Sequence, residues 1–212
     1  PLAKFVPVSV MAAVPNVMLV HPKVPAASVR ELIAWARAQP ERLIYSSQGS
    51  GTTSHLTTEM FKSAAGGLTA THVPYKGTAP AFQDLIGGQI AGFIDPILGS
   101  LQYHKSGLLK VIAVTSDKRT PNLPEVATVA ETLPGYEFYS WYGLWGPAKM
   151  PADITAKLNA EVNKALAGDM RDKLVAQGLI VNGGTVDDIV KFQREDMAKT
   201  QKIITEGNIR AE

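Results

Sequence analysis

The residue types best suited to holding a ligand fall in two short segments. The first is Ser46-Ser47-Gln48-Gly49-Ser50-Gly51-Thr52-Thr53-Ser54, which joins a predicted strand to a predicted helix. Such a junction presents free backbone N–H groups and the positive end of a helix dipole, which suits an anion. Gly49 and Gly51 let the backbone approach a ligand closely, and Ser47, Ser50, Thr52 and Thr53 add hydroxyl donors. His55 falls in the first helical turn, as a cap-region residue or ligand donor before a catalytic base. The second segment, Pro74-Tyr75-Lys76-Gly77-Thr78-Ala79-Pro80, repeats the arrangement and adds a phenol and a cation. Two such loops after neighbouring strands converge on one crevice at the carboxyl ends of the strands. Asp95 ends a further strand and suits a ligand amine or hydroxyl. Trp141, Tyr142 and Trp145 suit the wall of a pocket. Each has a blander reading: a capping loop that binds nothing, a solvated Lys76, an Asp95 that caps the turn at Pro96, aromatics that fill a core.

Enzyme signatures are missing. Gly49-Ser50-Gly51 is not the G-x-S-x-G elbow. Gly49-x-Gly51-x-x-Ser54 imitates the dinucleotide fingerprint, but Ser54 replaces the third glycine and no acidic residue follows about 20 positions on. There is no phosphate-binding G-x-x-x-x-G-K-[ST] string. The histidines, His21, His55, His72 and His104, lie 34, 17 and 32 residues apart, so no H-x-x-x-H metal pair exists. With no cysteine, disulfides, thiol nucleophiles and Cys-ligated metals are excluded. Neither a metal nor a cofactor is expected. The net charge of +2 comes from 21 Lys+Arg against 19 Asp+Glu without a dense basic cluster, so no nucleic-acid partner is expected. No apolar run reaches the ~20 residues of a membrane span.

The elements that must position these segments alternate between apolar strands and amphipathic helices. Asn16-Val17-Met18-Leu19-Val20 reads as a buried strand. Ser28 and Glu31 have capping-box spacing ahead of an apolar face of Val29, Leu32, Ile33 and Ala36. Strands over residues 43–46, 69–73, 91–94 and 109–115 alternate with helices over 54–63, 78–86 and 98–105. Thr78 serves as the N-cap of the 78–86 helix, which stops at Gly87-Gly88. After Ser116 the texture changes: an irregular segment with Pro121, Pro124 and Pro134, then a β-prone stretch over 136–145. A helix from Pro151 carries Ile154, Leu158, Val162 and Leu166 on one stripe; a short helix, a small strand at 179–181 and a last helix capped by Thr185 follow. The order is that of an α/β protein. At roughly 150 residues per domain, 212 residues make about one and a half domains.

Several strings together resemble a known family. They include Pro15-Asn16-Val17-Met18-Leu19-Val20, Tyr45-Ser46-Ser47-x-Gly49-x-Gly51-Thr52-x-x-His55-Leu56, His72-Val73-Pro74-Tyr75-Lys76-Gly77-x-x-Pro80-Ala81 and Asp84-Leu85-Ile86-Gly87-Gly88-Gln89. Residues 109–116 with Arg119, Leu123-Pro124-x-Val126-x-Thr128-Val129-Ala130-Glu131 and Trp141-x-Gly143-Leu144 complete the series. In this order, along the whole chain, they resemble the Bug family, the TctC-like substrate-binding proteins of tripartite tricarboxylate transporters.

The resemblance implies a type II periplasmic-binding-protein-like fold of two α/β lobes. It implies a periplasmic solute receptor, not an enzyme, that captures a small organic carboxylate: a di- or tricarboxylate, an aromatic carboxylate or an acidic amino acid. Lobe closure then delivers the ligand to the permease subunits in the membrane. On this mapping, residues 1–20 end the first lobe and form one hinge strand, 21–110 form the second lobe, and 111–212 return through a second hinge strand. The resemblance also implies ligand contacts from Ser47, Gly49, Ser50, Gly51, Thr52, Thr53 and His55, and from Tyr75, Lys76, Gly77 and Thr78; Asp95 joins these candidates on the residue reading above alone. Family members carry roughly a hundred further residues before the position of Pro1, so the first lobe is expected to be incomplete. An apolar face left open there would favour a homo-oligomer. Two alternatives are a ligand-sensing effector domain of the same fold, for which no helix-turn-helix is seen, and a nucleotide- or phosphate-binding enzyme using the Gly49–Gly51 loop.

Overall fold

The computed structural model describes residues 4–207 and 209. Strand β1 runs unbroken over Phe5–Val20, longer than the stretch from Asn16 that the sequence suggests. Pro7 and Pro15 hid the continuity. Proline donates no ladder bond and usually breaks a strand pattern, yet Ala12 and Ala13 pair with one partner strand and Asn16–Val20 with another. The chain divides into two units, one of Pro1–Val14 with Ser140–Thr200, the other of Pro15–Tyr139 with Gln201–Glu212.

The larger unit holds the two candidate loops. Its strands are β2 (Ile44–Ser47), β3 (Thr71–Pro74), β4 (Gly92–Pro96) and β5 (Lys110–Val114), with the end of β1, in the order β3-β2-β4-β1-β5. β2 runs parallel to β3 and β4, whereas β1 is antiparallel to β4 and β5. Its helices are α1 (Val29–Ala38), α2 (Thr53–Ala64), α3 (Thr78–Gly87) and α4 (Ile97–Lys105). Ser28 caps α1 by accepting the Glu31 N–H, and Glu31 reaches back to the N–H of Ala27. The chain leaves β2 through α2 to β3 on one side, then returns through α3 to β4 on the other. The loop after β2 therefore lies where the strand order reverses, the place where α/β sheets bind ligands. The two crossovers cover opposite faces. Phe61 of α2 packs in one core with Met18, Leu32, Ile94 and Ile112, whereas Phe82 of α3 meets Phe93, the neighbour of Ile94 on β4.

The structure corrects the N-cap of α3. Gly77, with φ +102°, is the cap, and Thr78 is the first helical residue. The Thr78 hydroxyl accepts a proton from Gln48, so it does not fold back on its own helix.

The smaller unit contains the first part of β1, all but the first residue of β6 (Tyr139–Pro147), and β7 (Ile180–Val181), both paired with β1. It also holds α5 (Ala152–Ala167), α6 (Asp169–Ala176) and most of α7 (Val186–Glu206). The expected apolar stripe on α5 is only partly buried: Leu166 is inside, but Ile154 and Leu158 are exposed. The inward face carries Asn159 and Asn163, whose amides donate to the carbonyls of Val8 and Gly184. Satisfying those carbonyls decides the rotation of the helix. Trp141 packs its ring against Phe192 and Trp145.

Thr115 joins three segments of the larger unit. Its buried hydroxyl accepts the Asn16 N–H and donates to the Phe138 carbonyl. Thr115→Val removes these bonds at once and should lower stability by about 2 kcal/mol. Thr115→Ser should keep most of it. Urea unfolding reads both, and an unchanged midpoint in the valine variant would refute the role.

Candidate functional site

The carboxyl ends of β2 and β3 are joined by backbone bonds beyond their ladder. The Tyr75 N–H donates to the Ser47 carbonyl and the Gly77 N–H to that of Gln48. The two sequence-predicted loops thus lie side by side. Gly49 and Gly51 have φ +141° and +75°, and a Cβ on Gly49 would come within 3.4 Å of the Tyr75 carbonyl oxygen. Glycine is needed here for both conformation and closeness.

Inside the first loop most donors are already used. Ser47, fully buried, takes the Gly49 N–H on its Oγ, and the Thr52 hydroxyl donates to the Gly49 carbonyl. The Gly51 N–H donates to Nδ1 of His55 at 3.0 Å, so this ring holds the loop. The Gln48 N–H donates to Ser54 Oγ. The hydroxyls of Ser50 and Thr53 have no partner among the described residues. No side chain caps α2 or α3.

A charge pattern distinguishes the helices at these strand ends. The first turns of α2, α3 and α4 contain no acidic residue, and none of the three has a side-chain cap. The other four helices each carry Asp or Glu in the first turn: Glu31, Asp153, Asp169 with Asp172, and Asp187 with Asp188. The N-termini of α2 and α3 therefore keep their partial positive charge unneutralised, whereas the Asp95 carboxylate lies at the start of α4, bonded to Ser100 and beside Gly99.

The second loop contributes differently from its composition. The Tyr75 phenol donates to Asp84 of α3, and burial and that bond push its pKa up to about 12. Lys76 is exposed and makes no ion pair among the described residues. Asp95 is only 2% exposed. Its Oδ1 accepts Gln48 Nε2 at 2.7 Å and its Oδ2 accepts Ser100 Oγ at 3.1 Å. Burial raises its pKa to about 7, against the lowering effect of those two bonds.

Neither Gln48 nor His72 stands out as a site residue by type or spacing. Gln48 reaches Thr78 and Asp95 with one amide. His72 lies between Tyr45 and His55, with ring centroids 4.8 and 4.0 Å away, and its Nε2 is 2.6 Å from Ser47 Oγ. Burial first, then the neighbouring His55, lower its pKa to about 4, so the imidazole is neutral. Parallel pairing of the two predicted strands in this register was the available signal. It sets Tyr45 opposite His72.

The fold is that of periplasmic binding proteins. The R. palustris protein Rpa4515, solved with adipate, superposes with a TM-score of 0.92 at 36% identity, over 99% of this chain and 70% of that one. MatC from Rhodopseudomonas palustris, solved with bound malate, gives 0.87 at 26% identity, over 95% of this chain and 70% of that one. A Pseudomonas sp. (strain P51) protein encoded in the tcbD-tcbE intergenic region is 34% identical over 98% of the chain, which spans 62% of that relative's length. The model of the tripartite tricarboxylate transporter family receptor matches residues 1–209. The chain belongs to this receptor family.

The shifted groups have opposite effects on stability. Asp95 ionises later in the folded than in the unfolded chain, so its contribution falls as pH rises from about 4 to about 7. His72 protonates later in the folded chain, so its contribution grows from about pH 4 to about 6.5. Asp95→Asn should therefore make stability rise more steeply with pH in this window, and His72→Gln should flatten or reverse the rise. Urea midpoints at half-unit pH steps measure both; a profile identical to wild type in Asp95→Asn would refute the assignment.

Proposed function

We propose that this chain is the ligand-capturing part of an extracytoplasmic solute receptor for a small organic carboxylate. The observation that carries the reading is the pair of uncapped, acid-free helix N-termini, those of α2 and α3, at the ends of β2 and β3. Helix dipoles and free N–H groups there favour an anion. Family membership and the adipate and malate bound by two relatives support a carboxylate over a phosphate.

On this reading one carboxylate is held by N–H groups at the start of α2 and by the hydroxyls of Ser50 and Thr53. Gly49, Gly51 and Gly77 give the backbone its shape; Ser47, Thr52 and His55 hold the loop from behind. Thr78 and the α3 N-terminus supply donors from the second loop, and the exposed Lys76 adds a positive charge. Tyr75 and Asp95 support the walls. Bonds from such donors to a charged carboxylate are stronger than neutral ones. The receptor performs no chemistry on its ligand. It works in the periplasm and hands the ligand to a membrane permease of its transporter.

Calorimetric titration with adipate, malate, citrate and aspartate tests this, with a nucleoside triphosphate as control. At least one carboxylate should bind, and the nucleotide should not. Gly51→Ala, which strains a left-handed residue by about 1–2 kcal/mol, should weaken that binding roughly tenfold. Nucleotide binding without carboxylate binding would overturn the reading.

A further inference from the structure

Gln48 donates both protons of one amide nitrogen, to Asp95 Oδ1 at 2.7 Å and to Thr78 Oγ1 at 2.9 Å. These partners lie 47 and 30 residues away along the chain. An ionised carboxylate can only accept hydrogen bonds. Asp95 receives Ser100 on its other oxygen, so its ionised form requires the nitrogen, not the oxygen, of Gln48. The second amide proton then occupies a lone pair of the Thr78 oxygen. The single proton of that hydroxyl is left to point elsewhere, and it has no acceptor among the described residues. Thr78 is the first residue of α3, beside the uncapped N–H groups of that helix.

We infer that Gln48 is a positioning residue: oriented by Asp95, it turns the Thr78 hydroxyl into a donor aimed at the ligand carboxylate. The inference rests on the carboxylate reading above. It also assigns Asp95 a part that avoids contact with an anion. The carboxylate lies two hydrogen bonds behind the hydroxyl and sets the polarity of the relay Asp95–Gln48–Thr78. A glutamine at 48 does this because its amide can donate twice from one atom. A glutamate there would accept the Thr78 proton and turn it away from the ligand.

A double-mutant cycle tests the relay, with adipate and malate as probes at pH 8.5, above the pKa of about 7 of Asp95. Gln48→Ala and Thr78→Val should each weaken binding roughly tenfold, the scale of one hydrogen bond to a charged group. Combined, they should be no weaker than Thr78→Val alone, because Gln48 acts through Thr78. Thr78→Ser should bind like wild type, and Gln48→Glu should bind more weakly than Gln48→Ala. In the ligand-free protein both Gln48 amide protons should exchange slowly with solvent, and Thr78→Val should speed one of them. That measurement is independent of ligand and of any loss of binding through misfolding. Wild-type binding with additive losses in the double variant, or rapid exchange of both amide protons, would overturn the relay while leaving the receptor reading intact. If neither probe, citrate nor aspartate binds wild type, the carboxylate reading falls and the inference falls with it.

Discussion

A carboxylate with almost no solvent contact stands at the end of β4, and the surrounding loops are shaped by the need to satisfy it. Burying an ionised group without partners is prohibitive. Among the described residues no cation stands beside Asp95; its bonds come from neutral donors, the Gln48 amide and the Ser100 hydroxyl. To present its amide there, Gln48 must leave β2 in a defined direction. Its N–H is held by Ser54 and its carbonyl by the Gly77 N–H. Gly49, Gly51 and Gly77 then take positive φ values to let the chain turn away from that anchor. One residue thereby binds together the ends of β2, β3 and β4.

A second layer lies beneath the first loop. Tyr45, His72 and His55 stack in sequence, and Ser47 bonds the middle ring. The Tyr45 phenol donates to Glu59, which also receives Lys62, so the charge on α2 is paired one turn or more below its N-terminus. No acidic residue stands in the first turn of α2, which leaves its dipole uncancelled. The positive character of the site therefore comes mainly from backbone orientation, with Lys76 at its margin. Backbone donors are fixed by the helix and lose little entropy when a ligand arrives.

Much of this was visible in local sequence. The Ser28/Glu31 cap, the glycine stop of α3 and the two glycine–hydroxyl loops depend on residues within a few positions of each other. β1 was harder to see because Pro7 and Pro15 break the usual pattern of a strand. The inward face of α5 escapes local reading for a related reason: hydrophobic periodicity cannot register Asn159 and Asn163, which are turned inward by distant carbonyls. At the site itself, Ser47, Gly49, Gly51 and Thr78 stood out by type. Gln48 and His72 did not, because neither forms a motif with its sequence neighbours.

Sequence alone therefore determined the kinds of element, the turns between them and the anion-friendly chemistry of two strand-to-helix junctions. These follow from short-range periodicity, capping and backbone sterics. The tertiary structure decided the strand order, and with it which side chains meet. Parallel pairing of β2 with β3 brings Ser47 to His72, and the reversal of strand order brings Gln48 to both Thr78 and Asp95. Those partners lie 25 to 47 residues apart along the chain. Their contacts depend on the register of strands across the whole sheet, which no local pattern encodes.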